Sequence, residues 1–138
     1  MVDRRIISEK VDTVEKSIKR VRERCGESVD EFKINADLQD SVVLHLMQAI
    51  QGCIDLAAHI VSDEELGLAS STRDFFYILS DKKVISAELR EKMIHAVGFR
   101  NLAAHEYVKL DMERAYEIAT HDIHDLEEFV GVIVRRFA

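Results

Sequence analysis

The sequence predicts an all-α fold, an antiparallel up-and-down bundle of four long helices plus one short helix. Three observations carry this expectation. Apolar residues recur at alternating steps of three and four over long stretches, the period of a single helix face. Proline is absent and glycine occurs only 5 times in 138 residues, so little interrupts a helix and the turn chemistry of a β architecture is missing. Strand-like alternation, internal repeats and low-complexity tracts are absent from the sequence.

The first helix is expected from about Asp3 to Arg24, where Ile7, Val11, Val14, Ile18, Val21 and Cys25 form one apolar stripe beside a charged face. Gly26 suits the position just past its end, and Glu27 to Asn35 reads as a connector. A second helix is predicted over Ala36 to Val61, opened by Asn35 or Asp37. Its stripe of Leu38, Val42, Leu46, Ala49, Cys53, Leu56 and Ile60 is widened by Val43, Leu44, Met47, Ile50 and Ala57. A helix apolar around so much of its circumference lies at the centre of a bundle or beneath a second subunit. Gly52, in its middle, suggests close helix–helix approach or an uncompensated propensity cost of roughly 1 kcal/mol. Leu66 to Ala69 forms a break. A short helix follows from about Ser71 to Ser80, capped by Ser71 or Thr72, with Phe75, Phe76 and Leu79 facing inward. After the polar turn Asp81-Lys82-Lys83, Ser86 caps a helix that buries Leu89, Met93, Ala96 and Val97. Asp111 caps the last helix, whose stripe is Tyr116, Ala119, Ile123, Leu126, Val130, Ile133 and Phe137; Arg135 and Arg136 meet the negative end of its dipole.

The length fits one domain spanning 1–138, and an apolar fraction of 47% supplies a real core. A net charge of −7 cuts against a simple nucleic-acid binder, so any RNA contact must come from a local cationic cleft. A basic partner surface fits the acidic balance equally well. Cys25 and Cys53 have neither metal spacing nor a disulfide framework and read as buried thiols in a reducing cytoplasm. The N-terminus reaches Glu9 and Lys10 too soon for a signal peptide, and no apolar run approaches the length needed to span a bilayer. A soluble, cytoplasmic protein with no membrane association is expected.

The chemistry concentrates in Arg100-Asn101-Leu102-Ala103-Ala104-His105-Glu106-Tyr107. Residues five apart on an ideal helix lie about 140° apart, so Arg100 and His105 share no face by spacing alone. They converge only where the helix ends or distorts near Ala104, or where the long Arg side chain reaches across. The polar run Glu106 to Asp111 makes a helix end near His105 reasonable, placing His105 and Tyr107 at a bundle mouth. An Arg and a His so placed suit RNA cleavage without a metal or cofactor. His titrates near neutral pH and can take a proton from the ribose 2′-oxygen or give one to the leaving 5′-oxygen. The guanidinium stabilises charge on the phosphoryl oxygens. The bland alternative is a helix-terminal Arg and His bonded to carbonyls and carboxylates, with Tyr107 packing.

Arg100, the polar Asn101 after it, His105 and Tyr107 together resemble the R-x4-H-x-Y signature of the HEPN superfamily, specifically its HepT-like toxins. The helix order and length are similar over essentially the whole chain. The resemblance implies a homodimeric endoribonuclease toxin of a type II toxin–antitoxin pair, with Arg100 and His105 catalytic, Asn101 and Tyr107 supporting, and RNA as substrate. It also implies a minimal nucleotidyltransferase antitoxin of the MntA type that transfers AMP from ATP onto Tyr107. A rival expectation is a non-catalytic helical partner subunit that helps a nucleotidyltransferase hold its substrate, which the acidic charge suits. A purely structural dimerisation bundle would leave the motif unexplained.

His121 and His124, with Asp122 and Asp125, form a second polar cluster. An i, i+3 His pair can bind a divalent metal, but a bare pair is weak, and an exposed polar face opposite Ile123 and Leu126 is the favoured reading. His45, His59 and His95 read as packing or interface histidines. Lys82-Lys83 and Arg90 to Lys92 could flank an RNA path, though such charges usually only solvate a surface.

Overall fold

The computed structural model describes residues 2–26 and 28–138. Asp3 starts α1 (Arg4–Cys25), its carboxylate accepting from the Arg5 backbone N–H at 2.9 Å and so satisfying one of the donors a helix start leaves free. All six residues of the expected stripe, Ile7 to Cys25, are buried. Gly26 follows with φ 73°, a left-handed conformation that only glycine enters without a Cβ penalty. The expected connector, of which Glu27 lies outside the described residues, departs from prediction. Ser28 Oγ accepts from the Glu31 N–H at 3.3 Å and caps a helix, α2 (Val29–Ile34). Phe32 anchors it, fully buried with its ring 5.3 Å from that of Tyr116. One buried residue in six leaves no period to read.

The central element is α3 (Ala36–Asp63), two residues longer than expected and capped by Asn35 Oδ1, which accepts from the Leu38 N–H at 3.0 Å. A Cβ at Gly52 would stand 2.6 Å from Val14 Cγ2. The glycine therefore serves the close approach of α1 to α3, and packing offsets its propensity cost. By length and a mean hydropathy of 1.3, α3 could cross a bilayer, which corrects the expectation that no apolar stretch approaches that length. In the fold its apolar side chains pack against α1 and against the helices that follow it in the chain. Most of its broad apolar surface is thus covered within one chain; Leu44, 51% exposed, is the main exception.

The short helix α4 (Thr72–Asp81) has Ser71 at its cap position, but the Ser71 side chain makes no capping bond. Asp74 instead accepts from the Ser70 N–H at 2.9 Å and the Ser70 hydroxyl at 2.7 Å, which hold its carboxyl below the ordinary value. Phe76 and Leu79 are buried and Phe75 is half-buried. α5 (Ala87–His105) begins at Ser86, whose Oγ accepts from the Leu89 N–H at 3.0 Å. Leu89, Met93, Val97, Phe99 and Ala103 are buried, while Ala96 is only half-buried.

Asp111 Oδ1 accepts from the N–H groups of Glu113 and Arg114 at 3.0 and 3.4 Å and starts the last helical run. This run is not uniform. α6 (Met112–Glu117) passes through a π-helical turn (Ile118–Asp122) into α7 (Ile123–Phe137). The wider turn shifts the helical phase, so Ala115, Ile118 and Ala119 face the same core as Ile123, Leu126, Phe129, Val130 and Ile133. Tyr116 and Phe137, expected in the stripe, are half-buried. The buried residues form one continuous cluster among the four long helical runs, to which the short α4 adds Phe76 and Leu79.

Candidate active site at the end of α5

The α5–α6 connection lies beside the α2–α3 junction. Phe32 meets Tyr116 there, and Lys33 pairs with Glu113 at 3.5 Å. α5 keeps its helical turns through His105 and stops, with Glu106 at φ −139° and ψ 46° and its N–H bonded to the Leu102 carbonyl at 2.8 Å. A 3-10 turn, Tyr107–Lys109, follows. The helix thus ends where the motif requires, without distortion near Ala104. Arg100 and His105 remain on separate faces, about 140° apart around the axis, with no hydrogen bond between them.

Arg100 is half-buried, and its Nε is fully buried without a hydrogen-bond partner. Among the described residues its guanidinium forms no ion pair, in a chain with 26 acidic residues against 19 basic. Burying part of a cation without a partner is costly, and it leaves a rigid donor fork for an anion from outside. Asn101 and His105 are exposed, and neither side chain bonds to another described residue. Both His105 ring nitrogens are therefore without a partner among the described residues. The bland reading of the motif, an Arg and a His occupied by carbonyls and carboxylates, does not hold.

Tyr107 differs. It is 36% exposed, and its hydroxyl donates to Asp40 Oδ1 on the second turn of α3. Burial, then the hydrogen bond to Asp40 and its charge, push the phenol up to about 12. Asp40 was not foreseen. It is one of two carboxylates on the polar first turns of α3, and nothing in the linear pattern joins it to Tyr107.

Most of the other polar groups are occupied; His95 has no partner among the described residues, and the buried His59 Nε2 lies close to Asp63 without a hydrogen bond. His121 Nδ1 lies 2.9 Å from Thr120 Oγ1 and His124 Nδ1 3.1 Å from Glu127 Oε1. Asp122 binds Arg114 at 2.8 Å and Asp125 lies 3.7 Å from Lys92, so this quartet is a solvated charged face. Arg90 lies over the Tyr77 ring and donates to Ser80 at 3.2 Å, and Lys92 is surrounded by Glu88, Asp125 and Glu128. Neither is free to line an RNA path. His45 Nδ1 lies 2.7 Å from the Ser41 carbonyl, His59 Nε2 3.1 Å from Asp63, and His95 is exposed. Cys25 and Cys53 are buried free thiols, and burial pushes Cys53 up to about 12.

Comparison with known proteins agrees with the motif. A family described as ribonuclease HepT-like matches residues 14–133. The mRNA nuclease HepT of Shewanella oneidensis is 36% identical over 128 residues, covering 93% of this chain and 96% of that protein. A solved complex of the tri-AMPylated Shewanella oneidensis HEPN toxin with an MNT antitoxin matches at a TM-score of 0.90 and 35% identity, covering 99% of this chain and 100% of that one. A toxin–antitoxin complex with AMP-PNP matches at 0.90 and 34% identity, covering 95% and 98%. YutE of Bacillus subtilis, 16% identical at a TM-score of 0.83, shares the fold. On the family match and the extent of these similarities, the chain belongs to the HepT-like ribonuclease family.

Proposed function

We propose that the 138 residues form a single domain acting in the cytoplasm as the metal-independent endoribonuclease toxin of a type II toxin–antitoxin pair. The observation that carries this reading is Arg100, a guanidinium with a buried, unpartnered Nε on the last turns of a helix that ends at an exposed, unpartnered His105. His105 moves the proton, taking it from the ribose 2′-oxygen as that oxygen attacks phosphorus or supplying one to the departing 5′-oxygen. Arg100 meets the charge that grows on the phosphoryl oxygens, and Asn101 orients the pair.

Arg100 and His105 diverge on their own helix, so the complete site is supplied by a homodimer in which two copies of the motif face one another. The exposed stripe His95, Gly98, Asn101 and His105 supports such a pairing, since open space lies over Gly98. Two copies would also concentrate positive charge in an otherwise acidic protein. The partner is an MntA-type nucleotidyltransferase antitoxin that transfers AMP to Tyr107, placing an anionic nucleotide where the substrate phosphate would bind. The similarity to a tri-AMPylated toxin bound to its antitoxin supports this partner.

The test is RNA cleavage by the purified chain in excess chelator, with growth arrest on expressing the chain alone as its counterpart in cells. Cleavage undiminished by chelator is expected. Cleavage abolished by chelator and restored by a divalent cation would overturn the mechanism, and a chain that neither cleaves nor arrests growth would favour the non-catalytic subunit.

A further inference from the structure

Asp40 and Tyr107 stand 67 positions apart, yet the Tyr107 hydroxyl donates to Asp40 Oδ1. Asp40 is exposed and makes no other side-chain bond among the described residues. The remaining charges near the hydroxyl are accounted for. On its own turn Glu106 and Lys109 pair with each other at 3.3 Å. From α2 and α6, Lys33 and Glu113 pair at 3.5 Å. His105 precedes the turn, exposed and unpartnered, and Asp37 lies one turn before Asp40 on α3. Asp40 is the carboxylate in contact.

A phenol is a weak nucleophile until its proton leaves. Burial, then the bond to Asp40 and its charge, push Tyr107 up to about 12, so roughly one molecule in 10^5 carries a phenolate at neutral pH. Modification by that fraction alone would be slow, and a base must take the proton as the new bond forms. We propose that Asp40 is the proton acceptor in the adenylylation of Tyr107, so that the toxin supplies the base for its own modification. This rests on the reading of Tyr107 as the modified residue.

In the step, Tyr107 Oη bonds to the α-phosphorus of ATP while the bond from that phosphorus to the oxygen bridging to the β-phosphate breaks. Pyrophosphate leaves, and the phenolic proton passes to Asp40 Oδ1 and then to water. The product oxygen is an ester oxygen that can no longer donate, so modification also unties the Tyr107–Lys109 turn from α3.

The experiment combines the full chain, ATP, Mg²⁺ and the nucleotidyltransferase encoded beside it. AMP on Tyr107 is followed by mass spectrometry under single-turnover conditions from about pH 6 to 9, where a carboxylate base is charged throughout. The wild-type rate should be nearly level. Asp40→Asn should be slowed roughly 100-fold at neutral pH, with a rate that climbs about tenfold per pH unit as the phenolate is supplied by solution instead. Asp40→Glu should recover both the rate and the level profile. Circular dichroism and thermal melting check that each variant is folded, and Asp40→Glu carries the test should Asp40→Asn be misfolded. An Asp40→Asn variant modified at the wild-type rate and slope would place the base on the transferase and overturn the proposal. Equal slowing at every pH would reduce Asp40 to a tether and overturn it as well. Failure of the underlying reading looks different: wild-type chain would gain no AMP, or Tyr107→Phe would gain as much.

Discussion

Two charged regions of this molecule use the same residue types and leave them in opposite states. Along the seam where the last helical run meets α1 and α5, Arg22, Lys92 and Arg114 each have a carboxylate. Arg22 clasps Glu127 with both terminal guanidinium nitrogens, Lys92 lies 3.6 to 3.7 Å from Glu88, Asp125 and Glu128, and Arg114 binds Asp122 at 2.8 Å and Glu117 at 2.9 Å. Pairing holds the Glu127 carboxyl low through its bond to Arg22 and raises Lys92 through Asp125 first. Asp125 itself is raised, because burial outweighs the nearby Lys92. At the end of α5, Arg100, Asn101 and His105 have no partners among the described residues, and only Tyr107 is held. Charge in the first region is closed on itself; in the second it is left open.

The largest effect should come from breaking the open region. Arg100→Ala or His105→Ala should lower RNA cleavage by roughly 10^3-fold while leaving thermal melting nearly unchanged, since neither side chain has an intramolecular bond to lose. Next in size is a change in the core between the two regions. Gly52→Ala should cost about 1–3 kcal/mol in denaturant unfolding, because its Cβ would meet Val14, with cleavage per folded molecule retained. In the closed region Arg22→Ala should cost about 1 kcal/mol or less, since the pair with Glu127 is partly solvated. That contribution has a definite sign with pH. The Glu127 carboxyl is depressed in the fold, so its stability is present above the unfolded value and fades as pH falls through the folded one. Unfolding in acid should therefore separate Arg22→Ala from wild type progressively less. The smallest effect is spectroscopic. Tyr107 is raised, so the stability it contributes is present below about pH 10 and is lost as pH rises towards about 12. An ultraviolet titration should show Tyr107 ionising well above the ordinary tyrosine value, and Asp40→Asn should bring that step to lower pH.

The sequence was most legible where one physical period runs long. The stripes of α1 and α3 and the caps Asn35, Ser86 and Asp111 follow from spacing and side-chain chemistry, and the polar run after His105 located the end of α5. Short or two-body features escaped. α2 depends on one buried ring, Phe32, against a residue far along the chain. The π turn at Ile118–Asp122 changes phase without changing composition. The breadth of apolar surface on α3 pointed equally to a central helix or a covered one, and burial within the chain accounts for most of it. The Asp40–Tyr107 bond is purely tertiary, so no local pattern could announce it. For the candidate site, spacing settled that Arg100 and His105 diverge, and the fold keeps them so.

That divergence sets the most direct test of a shared site. Arg100→Ala and His105→Ala chains, each inert alone, are mixed under conditions that exchange subunits, and RNA cleavage is measured in chelator. If two copies build the site, the mixed dimer retains one Arg100 and one His105 from different chains, and cleavage should rise well above either variant alone. A mixture that forms mixed dimers yet stays as inert as its components would contradict a site shared between two copies.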